Sequence, residues 1–155
     1  MSVRVPDAIE PLVGFREWHA WTDLDGNPVL MSLYRPAVWP RGEAMKASCL
    51  KNDLGLWGRA PAGDHRVPSE QCQCGLYAYR WPDFEPCAQS SPHRYISGVV
   101  LGWGRYVLGR NGWRAEYAKP VAVLSAPGLE DWIAFAADLY DLDVVDSWAE
   151  IRKAS

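Results

Sequence analysis

Tyr95 to Leu108 is the stretch that most restricts the fold of this chain. It is rich in β-branched and aromatic residues, yet it contains Gly98, Gly102 and Gly104. Glycine inside a strand marks a bulge, a bend or the close approach of another backbone. Directly afterwards, Arg110-Asn111-Gly112-Trp113 brings an Asn-Gly pair. Such a pair is a strong hairpin signal, because both residues accept positive φ. Trp113 to Ala118 reads as the returning strand. A long hairpin interrupted by three glycines does not form a flat ladder. It predicts a strongly bent sheet or a small β-barrel.

The flanking segments fit that reading. In Leu12 to Trp21, strand alternation puts Phe15, Glu17, His19 and Trp21 on one face and Arg16 and Trp18 on the other. Asp25-Gly26-Asn27-Pro28 is a turn, and Val29 to Tyr34 returns as a strand. Glu43 to Cys49 reads either as a short helix or as a strand. Leu76 to Trp81 is a strand ended by Pro82. The period then changes: Leu129, Trp132, Ile133, Ala136, Leu139 and Tyr140 share a helical face. Val144-Val145 suggests an edge strand, and Ser147-Trp148-Ala149-Glu150 matches a capping box opening a last short helix. The expected fold class is α+β: a curled, mostly antiparallel sheet or small barrel with C-terminal helices. At 155 residues the chain fits one domain spanning 1–155, with a flexible lead-in at 1–11 and a long loop at 51–71.

That loop is long for a compact domain unless something pins it. Cys49, His65, Cys72 and Cys74 offer the pin. Three thiols and one imidazole are the donor set of a closed tetrahedral zinc site. The Cys-x-Cys spacing is tighter than the common Cys-x2-Cys, and Cys87 and His93 are rival ligands. Two other readings stand beside zinc: free buried thiols, which behave as small apolar residues, and a disulfide or redox pair. A closed Cys3His set is structural, because a catalytic zinc keeps an open position. Zinc deaminases need His-x-Glu and Cys-x-x-Cys; neither occurs here, which excludes that class.

From Gly14-Phe15-Arg16 to Gly112-Trp113-Arg114-Ala115-Glu116, the chain resembles a set of small, uncharacterised Trp-rich proteins of actinobacteria and their phages. The Trp39-Pro40 turn, Ala47-x-Cys49 and His65-x-x-Pro68 belong to the likeness, as does Gly98-Val99-Val100-Leu101-Gly102-Trp103-Gly104. Cys72-x-Cys74-Gly75-Leu76-Tyr77-Ala78 is its most specific block. The resemblance implies a shared fold and carries no catalytic residue.

Charge is balanced at a net −3, with no long run of one sign, so bulk electrostatics do not suggest a polyanion partner. No apolar stretch approaches the roughly 20 residues of a membrane span, so no membrane partner is expected. The N-terminus lacks the pattern of a secretory signal, which favours a cytoplasmic location with reduced thiols. Nine tryptophans are spread along the chain. Some fill the core. Arg16, Trp18, Trp103, Arg105, Trp113 and Arg114 together form the candidate ligand-binding set, because interleaved Arg and Trp stack bases and grip phosphates. The functional expectation is a non-enzymatic binding module with a structural zinc, its partner a nucleic acid or a protein. The alternative is a small enzyme using Glu17, His19 or Glu116 for acid/base work in a Trp-lined pocket. No phosphate loop, nucleophile elbow or dinucleotide fingerprint is present.

Overall fold

The computed structural model describes residues 10–33, 37–49, 65–82 and 94–154. The elements in chain order are β1 (Leu12–Thr22), β2 (Pro28–Met31), β3 (Met45–Lys46), β4 (Leu76–Tyr79), β5 (Tyr95–Leu108) and β6 (Gly112–Leu124). Helix α1 (Glu130–Tyr140), strand β7 (Asp143–Val145) and helix α2 (Trp148–Ala154) follow. The segment before Cys49, ambiguous in sequence, is the short strand β3.

One edge of β5 pairs with β1 and the other with β6, both antiparallel. The sheet then curls until the far edges of β1 and β6 meet across β4. Leu76–Tyr79 pairs with Gly112–Ala115 on one side, and Tyr79 pairs with Phe15 on the other. The result is a ring, β1-β5-β6-β4. Strands β2, β3 and β7 extend the outer edges of β1 and β6, and only β7 runs parallel to its neighbour. This is the curled, mostly antiparallel sheet expected, with its helices at the C-terminal end.

The glycines explain the curl. Register shifts fall between Val99 and Val100 and between Trp103 and Tyr106, and Gly104 takes φ +79°. Gly102 acts differently. A Cβ there would lie 2.4 Å from the Trp113 ring, and one at Gly14 would lie 2.7 Å from the same ring. Trp113 therefore lies across two bare backbones inside the ring, and its Nε1 donates to Val13 O at 3.0 Å. Trp18 is fully buried and meets Trp39 edge to face, with centroids 5.7 Å apart.

The Asn-Gly expectation needs correction. The hairpin does turn at 109–112, closed by Gly109 N–H donating to Gly112 O. Neither Asn111 nor Gly112 takes positive φ, and Gly112 already belongs to β6. Its missing side chain serves packing, since a Cβ would sit 2.0 Å from Ala78 O.

Helix α1 buries Ile133, Ala136 and Tyr140, as the 3.6-residue period predicts. The Tyr140 hydroxyl accepts from Leu30 N–H and donates to Trp39 O, so one buried group ties the helix to two strand-side segments. In the final turn region, Glu150 reaches back to Asp146 N–H rather than to Ser147, one residue off the expected capping box.

Candidate metal centre

The four cysteine and histidine ligands expected from sequence converge. The donor atoms of Cys49, His65, Cys72 and Cys74 all lie within 4.8 Å of one another. Cys49 Sγ is 3.7 Å from Cys72 Sγ, and Cys74 Sγ is 3.4 Å from His65 Nε2. A tetrahedral zinc, with bonds of about 2.3 Å to sulfur and about 2.0 Å to nitrogen, has S···S edges of about 3.8 Å and S···N edges of about 3.5 Å. Two edges of the cluster thus match a coordination tetrahedron. A disulfide holds its sulfurs at about 2.05 Å, so Cys49 and Cys72 are not bonded. Cys87 and His93, the rival ligands, lie outside the described residues.

The three thiols are placed by local devices. Cys49 follows β3, and Ala47 N–H donates to Glu116 O at 2.7 Å, which lashes this segment to β6. Ser69 shapes the turn below the other thiols: its carbonyl accepts from Cys72 N–H and its Oγ from Gln71 N–H. Gly75 then takes φ +126°, a conformation other residues rarely adopt, and turns the chain from Cys74 into β4. A Cβ at Gly75 would press on Pro68 and Arg114 at 3.0 Å.

Arg105 and Arg114 serve this centre. Arg105 Nε donates to Pro68 O at 2.7 Å, and Arg114 Nη1 donates to Cys74 O at 2.7 Å. Charge-assisted bonds of this length are the stronger kind. They hold the ligand loop against the β5-β6 hairpin. The paired strands put Val107 opposite Arg114, so this bracing depends on the bulged register of β5. Sequence reasoning picked out both arginines but did not connect them to the cysteines. Only the Gly directly after Cys74 hinted at how the loop turns.

The thiols are unequal. Burial pushes the Cys74 thiol up, and the sulfurs of Cys72 and Cys49 add to this against the opposing Ser69 N–H. For Cys72, burial is the largest influence and raises the value. It is outweighed by the Cys74 N–H, the Cys49 and Cys74 thiols and the His65 charge, which together lower the thiol to about 7. Zinc takes thiolates and neutral imidazole, so binding at neutral pH displaces the Cys74 proton. Affinity is expected to rise with pH through the Cys72 value and onward while Cys74 still holds its proton, and to be lost as pH falls below the Cys72 value. Chelator-competition titrations at about pH 6 and about pH 8 check this; equal affinities would exclude thiolate ligation. Replacing Arg114 by Met is expected to weaken zinc roughly 10–100-fold while leaving the strand content intact. Unchanged affinity would show that Arg114 braces nothing the metal needs.

The remaining expected site residues lie elsewhere. Trp18, Trp103 and Trp113 are buried, and Trp103 stacks on Tyr117 with centroids 6.0 Å apart. Arg16 lies over Trp18 and Trp39, at 5.4 and 4.6 Å from the ring centroids. Burial lowers its guanidinium to about 10. Glu17 is buried and accepts from the Ser97 hydroxyl, while His19 sits by Tyr95 with rings 5.0 Å apart. Glu116 instead accepts Arg105 N–H at the β5 bulge. A concave space of about 750 Å³ beside the cysteine loop is lined by Glu17 but by neither His19 nor Glu116. No helix of the described residues is long and apolar enough to cross a membrane. Compared with protein-family models, curated proteins and solved structures, the chain matches none.

Proposed function

We propose that this protein is a non-enzymatic binding module whose curled sheet is completed by a structural zinc held by Cys49, His65, Cys72 and Cys74. The observation that carries this reading is the spacing of the four donor atoms, two of whose edges have tetrahedral length. Four protein ligands fill a zinc coordination sphere and leave no position for an activated water. The metal's role is then mechanical. It joins the end of β3, the 65–74 loop and the start of β4, two of which, β3 and β4, pair with β6 at different places.

Metal analysis of freshly purified protein is the direct test. About one zinc per chain supports the reading; protein purified without chelators and holding no metal sinks it.

Binding centres on the space beside the cysteine loop, which is walled by both strand and loop residues. Base stacking on the Arg/Trp set has weak support. Its three indoles are buried, and Arg105 and Arg114 are engaged with loop carbonyls. Single-stranded oligonucleotides are therefore expected to leave tryptophan emission unchanged at low salt. A salt-sensitive shift would restore nucleic acid as the leading partner.

A further inference from the structure

Arg16 occupies a place where a cation is hard to accommodate. By strand alternation it shares the inward face of β1 with Gly14 and Trp18. Its Nη1 donates to Tyr77 O at 3.1 Å, and its Nε is fully enclosed with no hydrogen bond. Among the described residues, the ion pair formed is Arg41 with Asp23, and no carboxylate neutralises Arg16. Two tryptophan faces offset part of the desolvation of the charge, but they satisfy none of its N–H groups. A guanidinium removed from water, as the half-buried Arg16 partly is, is best satisfied by a carboxylate or phosphate in its planar fork.

Arg16 also lines the 750 Å³ space beside the cysteine loop. That volume falls in the range of small-molecule sites, about 300–1,000 Å³. Leu33, Met45, Leu76, Leu108 and Trp113 contribute apolar wall. Glu17 is the acidic residue of the lining. Its carboxylate takes the Ser97 hydroxyl, and alternation assigns it to the opposite face of β1 from Arg16. Arg114 is already engaged with Cys74 O.

We propose that this cavity binds a small organic anion, a carboxylate or phosphate carried on an apolar body, with the Arg16 guanidinium as its counter-charge. The inference rests on the binding-module reading above and names the chemistry of its ligand. The anion supplies the counter-charge that Arg16 lacks where the residue lines the cavity, and the apolar body covers the wall.

The test is calorimetric titration of the full, metal-replete chain with three matched probes: naphthoate, naphthyl phosphate and the neutral naphthalenemethanol. At least one anion is expected to bind tenfold or more tighter than the alcohol, and the tighter anion identifies the head group. In Arg16→Gln that preference is expected to fall tenfold or more, while Lys46→Gln, at the exposed cation of the same lining, is expected to leave it in place. Should Arg16→Gln fail to fold, Leu108→Trp narrows the cavity from its β5 wall, at an exposed position, and is expected to abolish anion binding with little change in melting. Unimpaired binding by Leu108→Trp overturns the location. Equal binding of alcohol and anions overturns the counter-charge while leaving a binding module in place. Failure of all three probes overturns both. Zinc content measured on the same samples separates these outcomes from failure of the metal centre.

Discussion

Chelation is expected to lower the melting temperature of this protein by about 10 °C or more. Structural zinc contributes directly to folding free energy, with apparent values of about 10–16 kcal/mol in small zinc-dependent peptides. Here the ring has a core of its own, including Trp18, Trp39 and Trp113, so only part of that energy is expected in global stability. Even about 4 kcal/mol corresponds to a shift of about 10 °C in a chain of this size. Cys74→Ser is expected to melt at the same temperature with and without chelator, close to chelated wild type. Cys87→Ser is expected to keep its zinc and its melting temperature, because the four convergent donors already complete the sphere. Loss of zinc in Cys87→Ser would mean that the ligand set is wrong.

Trp113→Ala is expected to cost about 3–5 kcal/mol, near the upper end for a single core truncation. The indole is buried in the ring, covers Gly14 and Gly102 and satisfies Val13 O. Removing it leaves both a cavity and an orphaned carbonyl. Gly102→Ala attacks the same contact from the other side, since its new methyl would sit 2.4 Å from the ring. An overpacked methyl costs about 1–3 kcal/mol. The double variant decides the cause. If Gly102 is bare to admit the indole, the added methyl costs much less once Trp113 is gone, and the two effects fall short of their sum. Strict additivity in urea denaturation would show that Gly102 is small for another reason.

Much of this architecture was readable from local pattern. The long glycine-bearing strand, its returning partner and the amphipathic helix each follow from a period carried by neighbouring residues. Strand alternation also placed Phe15, Glu17 and His19 together, away from Trp18. The donor set of the metal centre was readable for a different reason. Thiol and imidazole chemistry is rare enough that four such residues around a long loop suggest a shared partner.

The Arg/Trp set shows where that kind of reading stops. Six residues with recognition chemistry were grouped by type, but their burial depends on how far the sheet curls. The curl turns Trp18 and Trp113 inward and puts Trp103 against Tyr117. The same curl carries Arg105 and Arg114 to the carbonyls of the cysteine loop, which lie 37 and 40 residues away in the chain. Bulge positions and close approaches of this kind are set by contacts between distant strands.

Composition and period by themselves determined the strand-rich class, the helix at the C-terminal end and the chemical identity of the four convergent donors, because each is encoded in residues that are near neighbours or chemically distinctive. Tertiary structure alone decided that β4 closes the ring, that the four donors meet, and that Arg16 is half-buried beside a cavity with its Nε enclosed. Those outcomes depend on register between strands far apart in sequence, where a shift of one residue exchanges the inward face for the outward one.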